Sequence, residues 1–160
     1  MTRLLATLFA ALVAVCGVVF LPSGCLAHTY HVAPDGTEWY DTLQYAACYA
    51  STDDTVLAAP GTYIIDPLDM WPIELGDAER CPWFVGEGGA EVTIIEGGGT
   101  TPAFAIPDVY DTPHVRIVGF TIRNASSPIE QDSGVSGTIG ALIIEDCIIE
   151  ENGEGIDLYN

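Results

Sequence analysis

The chain has 160 residues, of which 23 are acidic, four are Lys or Arg and three are His, and its formal net charge is −19. So large an acidic excess repels phosphate backbones and anionic lipid, which argues against binding of nucleic acid or of membrane surfaces. The excess favours solubility or the binding of cations. An acidic solvated face with no ligand is a simpler interpretation than a cation site.

The first 27 residues have the pattern of a secretory signal peptide. Arg3 supplies a positive charge, and an apolar run without charged side chains follows from 4 to 21. Small residues place the cleavage point before His28, and removing 27 of the 160 residues leaves 133, which suits one domain. Lipid modification of Cys25 and a retained membrane helix are the alternatives, in that order. We therefore predict a signal peptide at 1–27, a domain at 28–160, secretion or display at the cell surface, and no membrane insertion after cleavage.

The mature chain opens with a predicted strand, a short helix and two more strands. Polar and apolar residues alternate from 28 to 34, and apolar residues recur at helical spacing between 37 and 51, after Asp41 and Thr42 as candidate caps. From 54 to 65 the pattern gives a strand, a Pro-Gly turn and a second strand. We expect the helix and the aromatic residues around it to cover the first open coil edge. These aromatic residues are Trp39, Tyr40, Tyr45 and Tyr49.

The second half of the chain contains a repeat. Further strands are predicted at 71–75, 83–85, 92–95 and 103–106, and a motif that starts at Val115 recurs at Leu142, 27 residues later (142 − 115). Matching apolar positions at such a period indicate stacked β-coils, because one coil buries its inner face only against another. Alternation predicts Val115, Ile117, Phe120 and Ile122 inside, and Arg116, Thr121 and Arg123 outside. The second copy is predicted to place Ile144, Cys147 and Ile149 inside, Glu145 and Glu150 outside. Asn124 and Asn152 are predicted to be structural corners.

Several pieces of the sequence, in this order, resemble the opening of right-handed parallel β-helix proteins of the pectate-lyase-like superfamily. They are YHVAPDGT at 30–37, the short helix, the strand pair at 54–63, VGEGG at 85–89 and VTIIEGG at 92–98. The resemblance implies an all-β fold, a right-handed parallel β-helix (solenoid) with a short N-terminal capping helix. It does not fix a function, because this fold hosts lyases, glycosidases, esterases and adhesins.

The resemblance also implies where a catalytic site would lie. The lyases of this superfamily use an arginine or lysine base, with calcium held by acidic side chains on the outer face of one sheet. Arg123 is the candidate base, and Glu145, Glu150 and Asp157 are candidate calcium ligands, since calcium takes several oxygen ligands. The alternative is that Arg123 and Glu150, aligned on adjacent coils, form an ordinary exposed ion pair. No lyase or glycosidase motif can be matched residue by residue.

Two further features bear on ligands and on covalent structure. The segment 126–140 is rich in Ser, Gly, Asp and Pro, so we expect a protruding loop. Such insertions form the walls of binding grooves in solenoids, which makes Glu130 and Asp132 candidate substrate-binding residues; a plain surface loop is the alternative.

Export permits a disulfide. Cys48 and Cys81 are the candidate pair, since Cys147 is expected to face the core.

Together these patterns predict an exported β-helix domain that recognises polysaccharide, without a complete catalytic constellation in residues 28–160. A structural or adhesive surface protein without catalysis is one alternative, and the N-terminal part of a polysaccharide lyase is another. Calcium is the one cofactor that the acidic residues suggest. A strand pattern begins near Gly155 and no polar capping element follows it, so we expect further coils, or a stacking partner, beyond Asn160.

Overall fold

The computed structural model describes residues 26–65, 72–75, 81–106, 112–131 and 139–158. Within them the chain is an all-β protein, a parallel β-solenoid of about four turns, with one short helix. Most of the predicted signal peptide, Cys25 included, lies outside the described residues. None of the helices in the described ranges is both long and apolar enough to cross a bilayer.

The strands are β1 (Thr29–Val32), β2 (Thr55–Ala58), β3 (Gly61–Ile64), β4 (Ile73–Glu74), β5 (Trp83–Gly86), β6 (Thr93–Glu96), β7 (Phe104–Ile106), β8 (Thr112–Val118), β9 (Thr121–Arg123), β10 (Ile129–Gln131), β11 (Ile139–Glu145) and β12 (Ile148–Glu150), and the helix α1 spans Leu43–Ala47. Sheet A has the order β1-β2-β5-β8-β11, sheet B has β3-β6-β9-β12, and sheet C has β4-β7-β10. Every pairing is parallel, because successive coils follow the same path from sheet A to B to C.

The predicted register of the repeat is confirmed. Val115 pairs with Leu142 and Ile117 with Ile144 in sheet A, and Arg123 pairs with Glu150 in sheet B. The four residues predicted inside the first copy are fully buried. In the second copy, Ile144 and Cys147 are half-buried against the core, and Glu145 and Glu150 are exposed.

One residue predicted to be exposed is buried, and a covering loop is the reason. The motif is not one strand, because Gly119, with φ of 75°, turns the chain from β8 in sheet A to β9 in sheet B. Within β9, Thr121 is next to the inward-facing Ile122 and pairs with Ile148 of the neighbouring strand, so it lies on the outer face as predicted. It is nevertheless only 5% exposed, because the loop before β6 covers it and its Oγ1 donates a hydrogen bond to the carbonyl of Ala90 at 2.7 Å.

The predicted loop at 126–140 is also wrong in part. It contains β10, which pairs with β7 in sheet C and buries Ile129 and Gln131 while Glu130 between them is half-buried. A three-residue strand next to a proline carries too little apolar alternation to be seen in the sequence. Residues 132–138 lie outside the described residues.

The core runs through the middle of the coil as stacked rows of side chains. Val56, Phe84 and Ile117 lie on one another in sheet A, and all three are fully buried. Phe84 also reaches across to Phe104 of sheet C, with ring centroids 5.3 Å apart and planes at 71°. Aromatic pairs with this edge-to-face geometry stabilise a core beyond the area that they bury.

The predicted asparagine corners are confirmed. Asn152 joins two coils: its Oδ1 accepts a hydrogen bond from the backbone N–H of Ala125 at 3.0 Å, and its Nδ2 donates to the carbonyl of Ile122 at 2.9 Å. Asn124 has φ of 53°, a left-handed conformation that asparagine tolerates better than most residues. Its Nδ2 donates to Glu96 of the preceding coil.

Helix α1 covers the first turn, as the sequence predicts. The Thr42 hydroxyl caps it by accepting a hydrogen bond from the N–H of Tyr45 at 3.2 Å, and Leu43, Ala46 and Ala47 face the core. The last described coil is less protected. Among the described strands β12 pairs with β9 alone, so Ile149, predicted inside, is 39% exposed although it stacks on the buried Ile122.

Candidate functional site

Arg123, the candidate base, lies on the outer face of sheet B between two carboxylates. The register places Glu96 on one neighbouring strand and Glu150 on the other. The Nε of Arg123 donates to Glu96 Oε2 at 2.6 Å. An ion pair with Glu150 was expected, but the Arg123 side chain donates its hydrogen bond to Glu96 instead. The contact partner is the carboxylate of the preceding coil.

This arrangement does not suit Arg123 to proton abstraction. The hydrogen bond from Arg123 to Glu96, together with the negative charge of Glu96, raises the pKa of the guanidinium. The hydrogen bonds of Asn124 and of Arg123 in turn lower the pKa of Glu96. A general base needs a pKa brought near the working pH, and the environment of Arg123 acts in the opposite direction. Its contacts are those of an ion pair between coils, with a partner that is also bound by a corner asparagine.

The three candidate calcium ligands are not brought together. Glu145 ends β11 in sheet A, Glu150 ends β12 in sheet B, and Asp157 forms an isolated bridge with Glu130 of sheet C. Glu145 is also held by Arg116, whose terminal nitrogen lies 2.6 Å from Glu145 Oε2. Within the described ranges no group of three or more His, Cys, Asp or Glu side chains is placed to hold a metal ion. Calcium binding by the chain stays a prediction.

The remaining predicted site residues lie apart from one another. Glu130 is in the middle of β10, next to the last described coil, and Asp132 lies outside the described residues. Cys48 ends α1 on the surface, whereas Cys81 is buried shortly before β5. Their pairing in a disulfide stays a prediction.

A cluster of aromatic rings lies at the helical end of the solenoid. We call Tyr30, Tyr40, Tyr45 and Tyr49 the aromatic patch. The ring centroids of Tyr40 and Tyr45 are 5.7 Å apart, those of Tyr45 and Tyr49 are 5.2 Å apart, and those of Tyr30 and Tyr40 are 5.8 Å apart. Tyr30 and Tyr40 pack partly against the core, whereas Tyr45 and Tyr49 are 52% and 54% exposed.

Hydrogen bonds fix the polar ends of these rings. The hydroxyls of Tyr45 and Tyr49 lie 3.2 Å apart, and the hydroxyl of Tyr30 donates to the carbonyl of Tyr49 at 3.0 Å. The bond to Tyr45 raises the pKa of Tyr49. The patch presents ring faces beside hydroxyl groups. Trp39, next to Tyr40 in the chain, is 93% exposed.

A groove with a volume of about 730 Å³ adjoins this patch. One wall comes from the cap, with Asp41, Gln44 and Tyr45, and the other from the outer face of β3, with Thr62 and Ile64. We call this the cap groove. Ile64 is 71% exposed there, whereas Tyr63 between these two residues points inward and is 5% exposed. Tyr45 belongs both to the patch and to the groove.

The walls of the cap groove are held rigidly. The N–H of Glu74 donates to Gln44 Oε1 at 3.0 Å, which ties the helix to β4. The hydroxyl of Tyr63 donates to the carbonyls of Val32 and Ala59 at 2.9 and 2.8 Å, and burial raises its pKa. Fixed apolar surface with a few polar groups is what small-ligand sites require. The groove can therefore accept a flat, partly apolar ligand that also carries hydrogen-bonding groups.

The sequence predicts that Tyr40, Tyr45 and Tyr49 cover the first coil. Tyr40 packs against the core as expected, whereas Tyr45 and Tyr49 leave about half of their surface exposed to solvent. The sequence does not show that the Tyr45 and Tyr49 rings meet, because α1 ends at Ala47 and Tyr49 lies beyond its C-cap. The opposite wall is contributed by β3, which the sequence could not place beside the helix.

No family model, no curated protein and no solved structure matches this chain. Its class is therefore defined by the fold itself: it is a parallel β-solenoid.

Proposed function

We propose that this chain is an exported carbohydrate-recognition protein whose cap groove and aromatic patch hold a sugar chain. The single observation that carries the proposal is the position of Tyr45, which presents a half-exposed ring at the boundary between the patch and the groove. Aromatic side chains provide a large apolar face at small entropic cost and have a polar end that accepts or donates hydrogen bonds. A sugar ring offers the matching combination of an apolar C–H face and peripheral hydroxyls.

The polar groups of the groove complete this match. Asp41 on the cap and Thr62 on β3 are exposed, and Gln44 also lines the cap side of the groove. A carboxylate accepts hydrogen bonds, and a hydroxyl both donates and accepts them. Such groups pair well with sugar hydroxyls, whereas a purely apolar ligand would leave them without partners. Binding, not catalysis, is the activity that we propose for this part of the solenoid.

Two other functions follow from the fold and are weighed against this one. The environment of Arg123 argues against its use as a lyase base, so a lyase role rests on residues outside the described ranges. A structural or adhesive role needs no groove at all. The cap groove is the observation that favours ligand recognition over both.

The handedness and the relationship to the pectate-lyase-like superfamily belong to the same proposal. Connections between parallel strands of one sheet are right-handed in nearly all proteins, because a twisted strand packs back onto its sheet only in that way. The order of sequence pieces from 30 to 98 supports the relationship. We propose a right-handed coil on these grounds.

Export is supported by the surroundings of His28. Asp54 is 7% exposed, and its carboxylate accepts hydrogen bonds from the backbone nitrogens of His28 at 2.6 Å and Ser51 at 2.7 Å. Cleavage before His28 would convert the first of these donors into an α-ammonium group, which a buried carboxylate binds more strongly than a neutral amide. N-terminal sequencing of the protein recovered from the culture medium tests this, with His28 as the expected first residue. Recovery in the medium with residues 1–27 still attached would contradict it.

Carbohydrate recognition is tested by affinity electrophoresis of the purified chain through gels that contain neutral, amino and acidic polysaccharides. We expect at least one class to retard the protein, and Tyr45→Ala to remove the retardation. Tyr45→Phe keeps the ring and should retain most of it. Ile148→Ala, which removes exposed apolar surface from the last described coil, is the matched control and should behave as the wild type. Absence of retardation in every gel, or equal retardation of Tyr45→Ala and wild type, would overturn the proposal.

A further inference from the structure

We propose that the ligand of the cap groove is a polymer of amino sugars with free, protonated amines, and not a polyuronate. This inference rests on the proposed function, since it names the class of sugar that the same site takes. It is carried by the charge around the groove and by the kind of surface that the aromatic patch presents.

The chain around the cap groove is acidic throughout. Residues 26–65, which supply the cap, β1, β2 and β3, contain five carboxylates and neither lysine nor arginine. These carboxylates belong to Asp35, Glu38, Asp41, Asp53 and Asp54. A polyuronate carries one negative charge on each sugar unit, so it would be repelled by Asp41 in the groove and by the acidic segment around it. A neutral sugar could donate hydroxyl hydrogen bonds to Asp41, but only a cationic sugar would also be attracted by the charge.

One of these carboxylates is positioned to act on a ligand in the groove, and a second is next to a lining residue in the chain. Asp41 lines it directly. Asp35 follows Pro34, a lining residue, and accepts hydrogen bonds from the N–H and the hydroxyl of Thr37 at 3.1 and 2.7 Å. These bonds lower the pKa of Asp35.

The aromatic patch favours the same kind of ligand. A cation is attracted to the face of a tyrosine ring, and several rings together form sites that recognise ammonium groups. Tyr45 and Tyr49 stand nearly perpendicular, at 81°, so their exposed faces point in different directions. The patch adjoins Asp41 through the groove. An amino sugar offers an apolar ring face to one tyrosine and an ammonium group to the second tyrosine or to Asp41.

The test compares four short ligands of equal length with the full chain by calorimetric titration, at mildly acidic pH and at low and high salt. They are a glucosamine oligomer, its N-acetylated counterpart, a galacturonate oligomer and a lysine oligomer. We expect the glucosamine oligomer to bind most tightly, and its affinity to fall with salt because exposed charges are screened. Asp41→Asn should weaken this binding by about twofold to fivefold, the size expected for one exposed charge contact.

A variant at the far end of the molecule separates local from overall charge. Glu154→Gln makes the same change of charge on an exposed residue of the last described coil and should leave affinity unchanged. Equal weakening by Asp41→Asn and Glu154→Gln would overturn the inference, because the net charge alone would then act. Equal binding of the lysine oligomer would overturn it as well.

The remaining outcomes distinguish this inference from the proposed function. The inference fails if the N-acetylated oligomer binds as tightly as the glucosamine oligomer, or if the galacturonate oligomer binds more tightly. In either case recognition of carbohydrate still stands, provided that Tyr45→Ala removes the binding. If none of the three sugars binds, the proposed function fails together with the inference. Tight, salt-sensitive binding of the glucosamine oligomer, reduced by Asp41→Asn alone, supports both.

Discussion

Replacing Phe84 by alanine is expected to destabilise the solenoid more than any change on its outer faces. The ring is fully buried between Val56 and Ile117 of sheet A, and it meets Phe104 of sheet C edge to face. Truncation of a buried phenylalanine costs about 3–5 kcal/mol, and the ring pair accounts for about 0.5–1.5 kcal/mol of this. Small domains have only about 5–15 kcal/mol in total. The variant should therefore lose a large fraction of its stability.

Urea unfolding followed by circular dichroism measures this loss. Phe84→Leu keeps most of the volume and should cost about 1–2 kcal/mol, so it stays measurable even where Phe84→Ala fails to fold. A double-mutant cycle with Phe104→Leu isolates the coupling between the two rings. Ile64→Ala, on the outer face of β3, is the control and should change stability by less than about 0.5 kcal/mol. A loss below about 1 kcal/mol for Phe84→Ala would refute the reasoning that this ring links sheets A and C in a close-packed interior.

Three other changes test the contacts between coils. Gly86→Ala should cost about 1–3 kcal/mol in thermal melts, since the new Cβ would lie 2.2 Å from the carbonyl oxygen of Gly119, whereas Gly155→Ala, with no atom within 4 Å, should be neutral. Asn152→Ala should cost about 1–2 kcal/mol in urea, because a backbone N–H and a carbonyl of the preceding coil lose their partner; an unchanged midpoint would refute this. Glu96→Gln should cost up to about 1 kcal/mol at neutral pH. Because the pKa of Glu96 is lowered in the folded state, its contribution is lost as the pH falls through that folded pKa, so the difference from wild type should shrink in acid. A difference independent of pH would contradict the ion pair.

The repeat at Val115 and Leu142 was enough to predict stacked coils and their register. Parallel coils in register place equivalent residues directly on one another, so the apolar spacing of the sequence is also the spacing of the structure. The same spacing of 27 separates Glu96 from Arg123 (123 − 96), which are partners in sheet B. The repeat at Val115 and Leu142 does not include this earlier coil, so it predicts Glu150 as the partner of Arg123.

Features that depend on the path between strands were not predictable in this way. Thr121 lies on the outer face, as alternation predicts, but it is buried because the loop before β6 covers it. The acidic residues Glu145 and Glu150 are five apart in sequence, but the equivalent corner of the next coil, at Asp146, sends them to different sheets. A count of nearby carboxylates in the sequence therefore overestimated how closely they gather.

The sequence by itself determined the class of fold, the buried rows and the corner asparagines, since these follow from local alternation, period and backbone preference. Only the tertiary structure decided which surfaces adjoin. The cap groove requires α1 and β3, and the aromatic patch joins Tyr30 of β1 to rings on and beside the helix. Their contact depends on how the chain closes its first turn, and no local pattern encodes that distance. The candidate site of this protein is therefore a property of the first coil closing against its cap.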